Sequence, residues 1–235
     1  DLAPLHFEDF GTAITSTSFG EGCGEVYEQS TVTIDDQVFN NPHLLHVFSA
    51  GNHDTDPCYN PYSWLGANQS GNYYATITGG RKSGKNVLAI GNIDWNDELL
   101  SSSSRGPTPD GRIKPDLSAL GQNDYTTGPN NTYRYSSGTS AAAPNTVGAF
   151  AILYGYYRET HNNAYPSSAL IKALTLNTAD DLGVAGPDFH YGWGRMNARK
   201  ALASLQAENY LQGTISHQQT QSFQLAIPSG AQRVT

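Results

Sequence analysis

Two short apolar runs constrain the fold of this chain more than any other feature of its sequence. Residues 44–50 (LLHVFSA) and 86–93 (NVLAIGNI) hardly alternate with polar residues, which predicts strands buried on both faces. Before the first run, residues 13–19 form a β-branched segment that predicts another strand. Between them, residues 25–40 have apolar residues at an imperfect helical spacing. Strands that alternate with a helix predict an α/β fold, a parallel sheet flanked by helices.

The pattern becomes helical after this region. Residues 141–158 are apolar nearly all round, which predicts a buried helix, and residues 167–178 and 197–205 have the spacing of two more. Residues 52–84 form a long stretch rich in Gly, Asn, Asp and Tyr, without a clear period. Loops of that length in compact domains usually have a function.

The end of the chain has a different pattern. Residues 213–216 and 222–227 alternate with period two, which predicts antiparallel strands. We therefore expect two domains: residues 1–207 form the α/β domain, and residues 208–235 begin an antiparallel β domain that is cut off. The chain starts with Asp1 rather than Met, so we also expect that a segment upstream has been removed.

The charge balance excludes several kinds of partner. Thirteen Lys and Arg against 21 Asp and Glu give a formal charge of -8, and such a surface repels the phosphates of nucleic acids and anionic membranes. No apolar run approaches the roughly 18 residues that a membrane span needs. Only 14% of the residues are charged, below the usual value of about 25%. This polar but uncharged composition predicts a secreted or extracellular protein.

The segment with the clearest chemistry is residues 136–144 (SSGTSAAAP), directly before the predicted buried helix. A serine in a first helical turn lies beside free backbone N–H groups and the positive end of the helix dipole, where an oxyanion is stabilised. Ser140 is that serine, and Gly138 allows the tight turn before it. The alternative is an ordinary N-cap serine.

Residues 138–144 (GTSAAAP) closely resemble the nucleophile signature of the subtilisin-like serine proteases. Four further segments resemble motifs of the same family, in the family's order: residues 16–20 (STSFG), 47–52 (VFSAGN), 102–107 (SSSRGP) continued by 110–117 (DGRIKPDL), and 192–194 (GWG). The resemblance extends over residues 13–205. The tail from residue 208 is similar to the additional sandwich domain of larger secreted bacterial subtilases.

The resemblance implies an endopeptidase that acts by acyl transfer on a protein or peptide substrate and requires no cofactor. Ser140 would be the nucleophile, and Asn52 would donate to the oxyanion together with the N–H of Ser140. Taken alone, Asn52 is an ordinary turn residue. The residues implied to line the substrate site are Ser18, Phe19, Gly20, Ser49, Ala50, Gly51, Gly138 and Thr139.

The chain departs from the family in one serious respect. The motifs that carry the family's catalytic Asp and His are absent; residues 43–46 (HLLH) copy only the spacing of the histidine motif, and we predict that His46 is a core residue. Our main expectation is a fragment whose missing N-terminal segment supplies both residues. The alternative is a pseudoprotease that serves as a binding or scaffolding module.

Two further sites concern stability. Cys23 and Cys58 favour one disulfide in an extracellular chain, because each should follow a parallel strand into a loop on the same sheet edge. The alternative is two small buried thiols. Asp54, Asp56 and Asn60 could ligate a structural calcium ion but lack a full ligand set.

Overall fold

The structure, a computed structural model, describes residues 3–20, 27–53, 75–77 and 79–224. Within these residues the helices are α1 (Ala3–Phe10), α2 (Gln29–Asn40), α3 (Thr139–Thr160), α4 (Ser168–Asn177) and α5 (Ala198–Gln206). The strands are β1 (Ile14–Thr17), β2 (Leu45–Ser49), β3 (Leu88–Ile93), β4 (Leu117–Leu120), β5 (Asp124–Gly128) and β6 (Thr132–Ser136).

The central element is a parallel sheet in the order β1-β2-β3-β4. Every residue of β2 and β3 is buried, as their apolar sequences predict. The predicted α/β fold, a parallel sheet flanked by helices, is confirmed. Because all four strands run in the same direction, their carboxyl ends lie along one edge of the sheet.

Alternate side chains of β2 contact different helical layers, because successive side chains of a strand point to opposite faces. Val47 belongs to the large core that also contains Phe150 and Leu153 of α3. Phe48 instead joins a smaller cluster with Ile34 of α2 and Val87. The sheet is therefore covered on both faces, which removes its apolar side chains from water.

Helix α3 is buried along one stripe rather than all round. Ala142, Ala143, Thr146, Phe150 and Leu153 are fully or almost fully buried, at helical spacing. On the other side of the helix Ile152 is 60% exposed. The expectation of a wholly buried helix is thus wrong for its outward side, which is exposed from residue 144 onward, although the helix itself lies where its sequence predicts.

The antiparallel strands lie at a different place from the one that the sequence predicts. β5 and β6 pair antiparallel and form a hairpin directly before α3. By contrast, residues 208–224 contain no strand in the part of the tail that the structure describes. The described part of the tail is mostly exposed and pairs with no other described strand, and an unpaired strand is not stable in water. Residues 225–227 of the second predicted strand lie outside the described residues. None of the helices in the described part of the chain is long and apolar enough to cross a membrane.

His46 is a core residue, as predicted. It is 2% exposed, its Nδ1 lies 2.6 Å from the Thr15 hydroxyl, and its ring lies 6.3 Å from that of Phe48. Burial lowers the pKa of His46 from 6.5 to about 4, because a low-dielectric surrounding disfavours the charged imidazolium.

We predict that His46 makes the protein sensitive to mild acid. Below pH 6.5 the unfolded chain binds a proton that the folded chain rejects until about pH 4, so stability falls as the pH drops through this window. The expected loss between pH 7 and pH 5 is about 2 kcal/mol. Urea unfolding at both pH values measures it: His46→Gln should reduce this pH dependence, whereas His217→Gln, at an exposed position, should leave it unchanged. Equal pH dependence in His46→Gln and the parent protein would contradict the prediction.

Candidate active site

The carboxyl edge of the sheet meets the first turn of α3. Ser18 follows the end of β1, Asn52 lies three residues beyond β2, and Gly121 follows β4. Each of these loops contacts the turn that leads into Ser140: Ser18 bonds Ser140, Asn52 bonds Thr139, and the Gly121 carbonyl accepts from the Gly138 N–H at 2.8 Å. Three loops that are distant in the sequence therefore meet at the amino terminus of one helix.

Ser140 is half-buried and exchanges two hydrogen bonds with Ser18. Its hydroxyl donates to the Ser18 carbonyl at 3.3 Å, and the Ser18 hydroxyl donates to the Ser140 carbonyl at 3.0 Å. Among the described residues, no histidine or carboxylate is hydrogen-bonded to the Ser140 hydroxyl. The nucleophile candidate is thus accessible and oriented, but the described part of the chain provides no base for it.

Pro144 explains why the Ser140 carbonyl accepts a side-chain bond. In a regular helix this carbonyl would accept from the N–H of residue 144, but proline has no N–H. The freed acceptor bonds the Ser18 hydroxyl instead. Pro144 is the sixth residue of α3. Because it has no N–H, the Ser140 carbonyl is left to bond the loop after β1, which joins that loop to the helix.

Asn52 is held by its side-chain oxygen. Oδ1 accepts from both the N–H and the hydroxyl of Thr139, each at 3.0 Å. The Thr139 hydroxyl in turn accepts from the Gly51 N–H at 3.2 Å. Thr139 is fully buried whereas Asn52 is exposed. The two bonds to Asn52 are therefore partly buried, and together they fix the orientation of its amide.

Two N–H donors at this turn have no hydrogen-bond partner in the described part of the chain. No hydrogen bond from the Asn52 Nδ2 group or from the backbone N–H of Ser140 occurs within the described ranges. Gly138 lies against the Asn52 amide: a Cβ built on it would be 3.2 Å from Nδ2, and its φ of +120° disfavours other residues. A glycine at this position therefore keeps the space beside both donors open.

Residues 102–107 support the loop that carries Asn52. The Ser104 N–H donates to the Gly51 carbonyl at 2.9 Å, and the Ser104 hydroxyl accepts from the His53 N–H at 3.1 Å. Ser104 is fully buried. In the sequence this segment has no role beyond its resemblance to a family motif. The tertiary contacts show that Ser104 is a hydrogen-bonding partner of the loop backbone.

The other predicted site residues are distributed between surface and interior. Ser18, Phe19 and Gly20 are exposed, whereas Ser49, Ala50, Gly51, Gly138 and Thr139 are buried. Cys23 and Cys58, and the calcium candidates Asp54, Asp56 and Asn60, lie outside the described residues. Among the residues that the structure describes, no group of three or more His, Cys, Asp or Glu side chains could hold a metal ion.

We predict that the Thr139 hydroxyl stabilises this turn. Thr139→Val keeps the shape of the side chain but leaves the Gly51 N–H and one lone pair of Asn52 unsatisfied, and should lower the free energy of unfolding by about 1–3 kcal/mol. Thr139→Ser keeps the hydroxyl and serves as the matched control, with a smaller loss from its missing methyl group. Urea unfolding of both variants measures the difference, and equal losses would show that the hydroxyl contributes nothing.

Sequence comparison relates this chain to a known family. The model of the subtilase family matches residues 5–194. An alignment over 213 residues with an extracellular serine protease of Serratia marcescens has 32% identity and covers 78% of this chain and 18% of that protein. Thermitase of Thermoactinomyces vulgaris is 33% identical over 117 residues, 50% of this chain and 36% of that protein. The chain thus spans well under half the length of these curated relatives.

Structural comparison agrees about the fold. The self-cleaved protease domain of PatA has a TM-score of 0.65 at 22% identity and covers 88% of this chain and 67% of its own. A lanthipeptide protease has a TM-score of 0.65 at 21% identity, with coverages of 86% and 64%. At these identities the comparison establishes the shared fold and nothing finer.

Proposed function

The chain belongs to the subtilase family of serine proteases, and from that premise we propose that it carries the nucleophile and the oxyanion hole of an endopeptidase. The observation that carries the proposal is the turn at the start of α3. There Asn52 is fixed through its oxygen by Thr139, which leaves its amide N–H groups free for a ligand. An amide held in this way is a preorganised donor for negative charge.

In the proposed reaction the Ser140 Oγ attacks the carbonyl carbon of a peptide bond. A base takes the hydroxyl proton, the carbonyl π electrons move to the oxygen, and Asn52 Nδ2–H and the Ser140 N–H donate to that oxyanion. Collapse of the intermediate breaks the C–N bond, and the leaving amine receives the proton from the base. Water then hydrolyses the acyl group from Ser140 by the same steps in reverse order.

The base is the part of this machinery that the described residues do not contain. The Ser140 hydroxyl donates to the Ser18 carbonyl, and a backbone carbonyl cannot hold a proton at neutral pH. The hydroxyl must therefore rotate toward another acceptor before it can react. We propose that the histidine and the carboxylate that orients it come from a segment outside this chain.

The substrate we propose is an extended peptide, and the proposed location is outside the cell. The exposed residues Ser18, Phe19 and Gly20 continue beyond β1 at the sheet edge beside Ser140, where a peptide can add as a further strand. The relative from Serratia marcescens is described as extracellular. The low content of charged residues supports the same location for this protein.

We predict that the full-length protein hydrolyses a chromogenic peptide and that this chain alone does not, because its described residues place no base at Ser140. In the full-length protein Ser140→Ala should reduce kcat by roughly a million-fold, a range borrowed from the serine of a subtilisin. Ser136→Ala, four residues earlier, is the matched control and should retain most activity. Robust turnover by this chain alone, abolished by Ser140→Ala, would contradict the proposal that the base lies outside this chain. An inactive full-length protein would contradict the proposed peptidase activity.

For Asn52 we predict a loss in kcat with little change in KM, because its amide meets charge that develops mainly in the transition state. Removal of one such donor in a subtilisin lowers kcat by about 100- to 1,000-fold, and we adopt that range for Asn52→Ala in the full-length protein. Asn52→Asp is the sharper test, because Asp retains an oxygen acceptor for Thr139 but offers no N–H. If Asn52 were only a turn residue, Asp would serve equally well and the enzyme would remain active.

We also propose the disulfide between Cys23 and Cys58. Supporting it, β1 and β2 are parallel neighbours, so the loops that follow them start from the same sheet edge. The bond would close a loop of about 35 residues and stabilise the protein by roughly 3–4 kcal/mol in the chain-entropy model. Mass spectrometry after alkylation, with and without a reductant, should show two alkylated thiols only after reduction. Thermal unfolding should show a lower Tm for the reduced protein. Two alkylated thiols in the untreated protein would exclude the bond.

A further inference from the structure

A pocket lies at the amino edge of the sheet, opposite the edge that carries the candidate active site. Its volume is about 260 Å³, and its wall includes Lys114 and Asp116, directly before β4. The proposed active site lies at the carboxyl ends of the same strands, and β3 alone spans about 17 Å between the two edges. The pocket is therefore separate from the peptidase site.

Two ammonium groups at the base of this pocket share one carboxylate. Lys114 Nζ lies 2.5 Å and Lys172 Nζ 3.1 Å from the oxygens of Asp116. Lys114 and Asp116 are almost fully buried, with side chains 2% and 5% exposed. Burial lowers the pKa of Lys114 to about 8, which agrees with a buried positive charge that its partner does not fully offset.

The donors of these two lysines are used unequally. Lys172 Nζ donates to the carbonyls of Lys85 and Val87, at 2.9 and 2.8 Å, in addition to its ion pair. Lys114 Nζ donates to Val87 at 3.2 Å and to Asp116. An ammonium group has three N–H donors, so with respect to the described residues Lys114 has one N–H left for a ligand.

Two more cations lie on the wall of the pocket. Arg112 bonds Asp110 through Nε at 2.9 Å, but its buried Nη2 has no hydrogen-bond partner in the described part of the chain. Lys85 Nζ lies 4.6 Å from the centre of the Tyr27 ring. The nearby carboxylate of Asp35 accepts from the Tyr27 hydroxyl and from the N–H groups of Lys85 and Asn86. Cations therefore outnumber carboxylates on the wall, four to one.

The rest of the wall is apolar. Ile113, Leu176 and Trp193 line the pocket beside the cations. A plain phosphate would satisfy the charges but leave these side chains in contact with water. A ligand that joins an anionic head to an apolar group would satisfy both parts of the wall.

We propose that this pocket binds a small carboxylate that carries an apolar substituent, such as the C-terminal residue of a peptide ending in leucine or a short fatty acid. The carboxylate accepts from Arg112 Nη2 and from the remaining N–H of Lys114, and the substituent packs against Trp193 and Leu176. Binding at this site is independent of peptide hydrolysis.

Isothermal titration of the full-length protein, with Ser140→Ala to prevent self-digestion, tests the site. N-acetyl-leucine should bind at one site per chain, whereas N-acetyl-leucine amide, acetate and inorganic phosphate should bind at least about tenfold more weakly, since each lacks either the charge or the apolar group. Hexanoate distinguishes the two sources: binding equal to that of N-acetyl-leucine admits fatty acids, and weaker binding favours peptide termini. Either result supports the site.

Three variants locate the binding. Arg112→Gln should weaken binding of N-acetyl-leucine about tenfold, and Arg199→Gln, which removes an exposed arginine on α5, is the matched control and should change nothing. Lys85→Gln removes another cation of the pocket wall at an exposed position, should also weaken binding, and provides the test if Arg112→Gln does not fold. Equal binding of the amide, tighter binding of phosphate, or binding unaffected by Arg112→Gln and Lys85→Gln would overturn the proposal. Because no turnover is measured, none of these outcomes bears on the peptidase.

Discussion

The hydrogen bonds between the first turn of α3 and the sheet edge are the interactions on which the candidate site depends. The turn is anchored to the loops after three strands, through Ser18 to Ser140, Asn52 to Thr139 and Gly121 to Gly138. All three anchors lie where the N–H groups of a helix have no helical partners. The same geometry that leaves these groups to be satisfied by neighbouring loops also leaves one N–H, that of Ser140, for a developing negative charge.

The opposite edge of the sheet is held by charge rather than by a helix terminus. Asp116 accepts from the Ala89 N–H at 2.7 Å and from the ammonium of Lys114, and its own carbonyl accepts from the Trp193 N–H at 3.0 Å. These bonds join β3, β4 and the residues 192–194 motif. A Cβ on Gly192 would lie 2.4 Å from the Pro115 carbonyl oxygen, so the close approach of the two backbones requires glycine. Removal of one partner from a buried ion pair of this kind costs about 3–5 kcal/mol, which gives positions 114 and 116 a structural reason to be Lys and Asp.

Much of the fold could be predicted from the sequence because its central elements have strong local patterns. The apolar runs became β2 and β3, and the three downstream helices lie within a few residues of their predicted bounds. β4 is only four residues long, and its sequence LSAL has no distinctive period, so it was not predicted as a strand. The hairpin of β5 and β6 was not predicted. The β6 sequence TYRYS does alternate tyrosines with polar residues, but β5 (DYTTG) shows no such alternation and both strands are mostly exposed.

The sequence by itself determined the family, the parallel sheet and the serine at the start of a helix, because each follows from residues that are close together in the chain. Tertiary structure alone decided that Thr139 holds the oxygen of Asn52, that Pro144 frees the Ser140 carbonyl for Ser18, and that Lys114 and Lys172 share Asp116. These partners, apart from the neighbouring Lys114 and Asp116, are between 56 and 122 residues apart. Hydrogen bonds and ion pairs act over about 3 Å, and no local pattern records which distant groups folding brings within that distance.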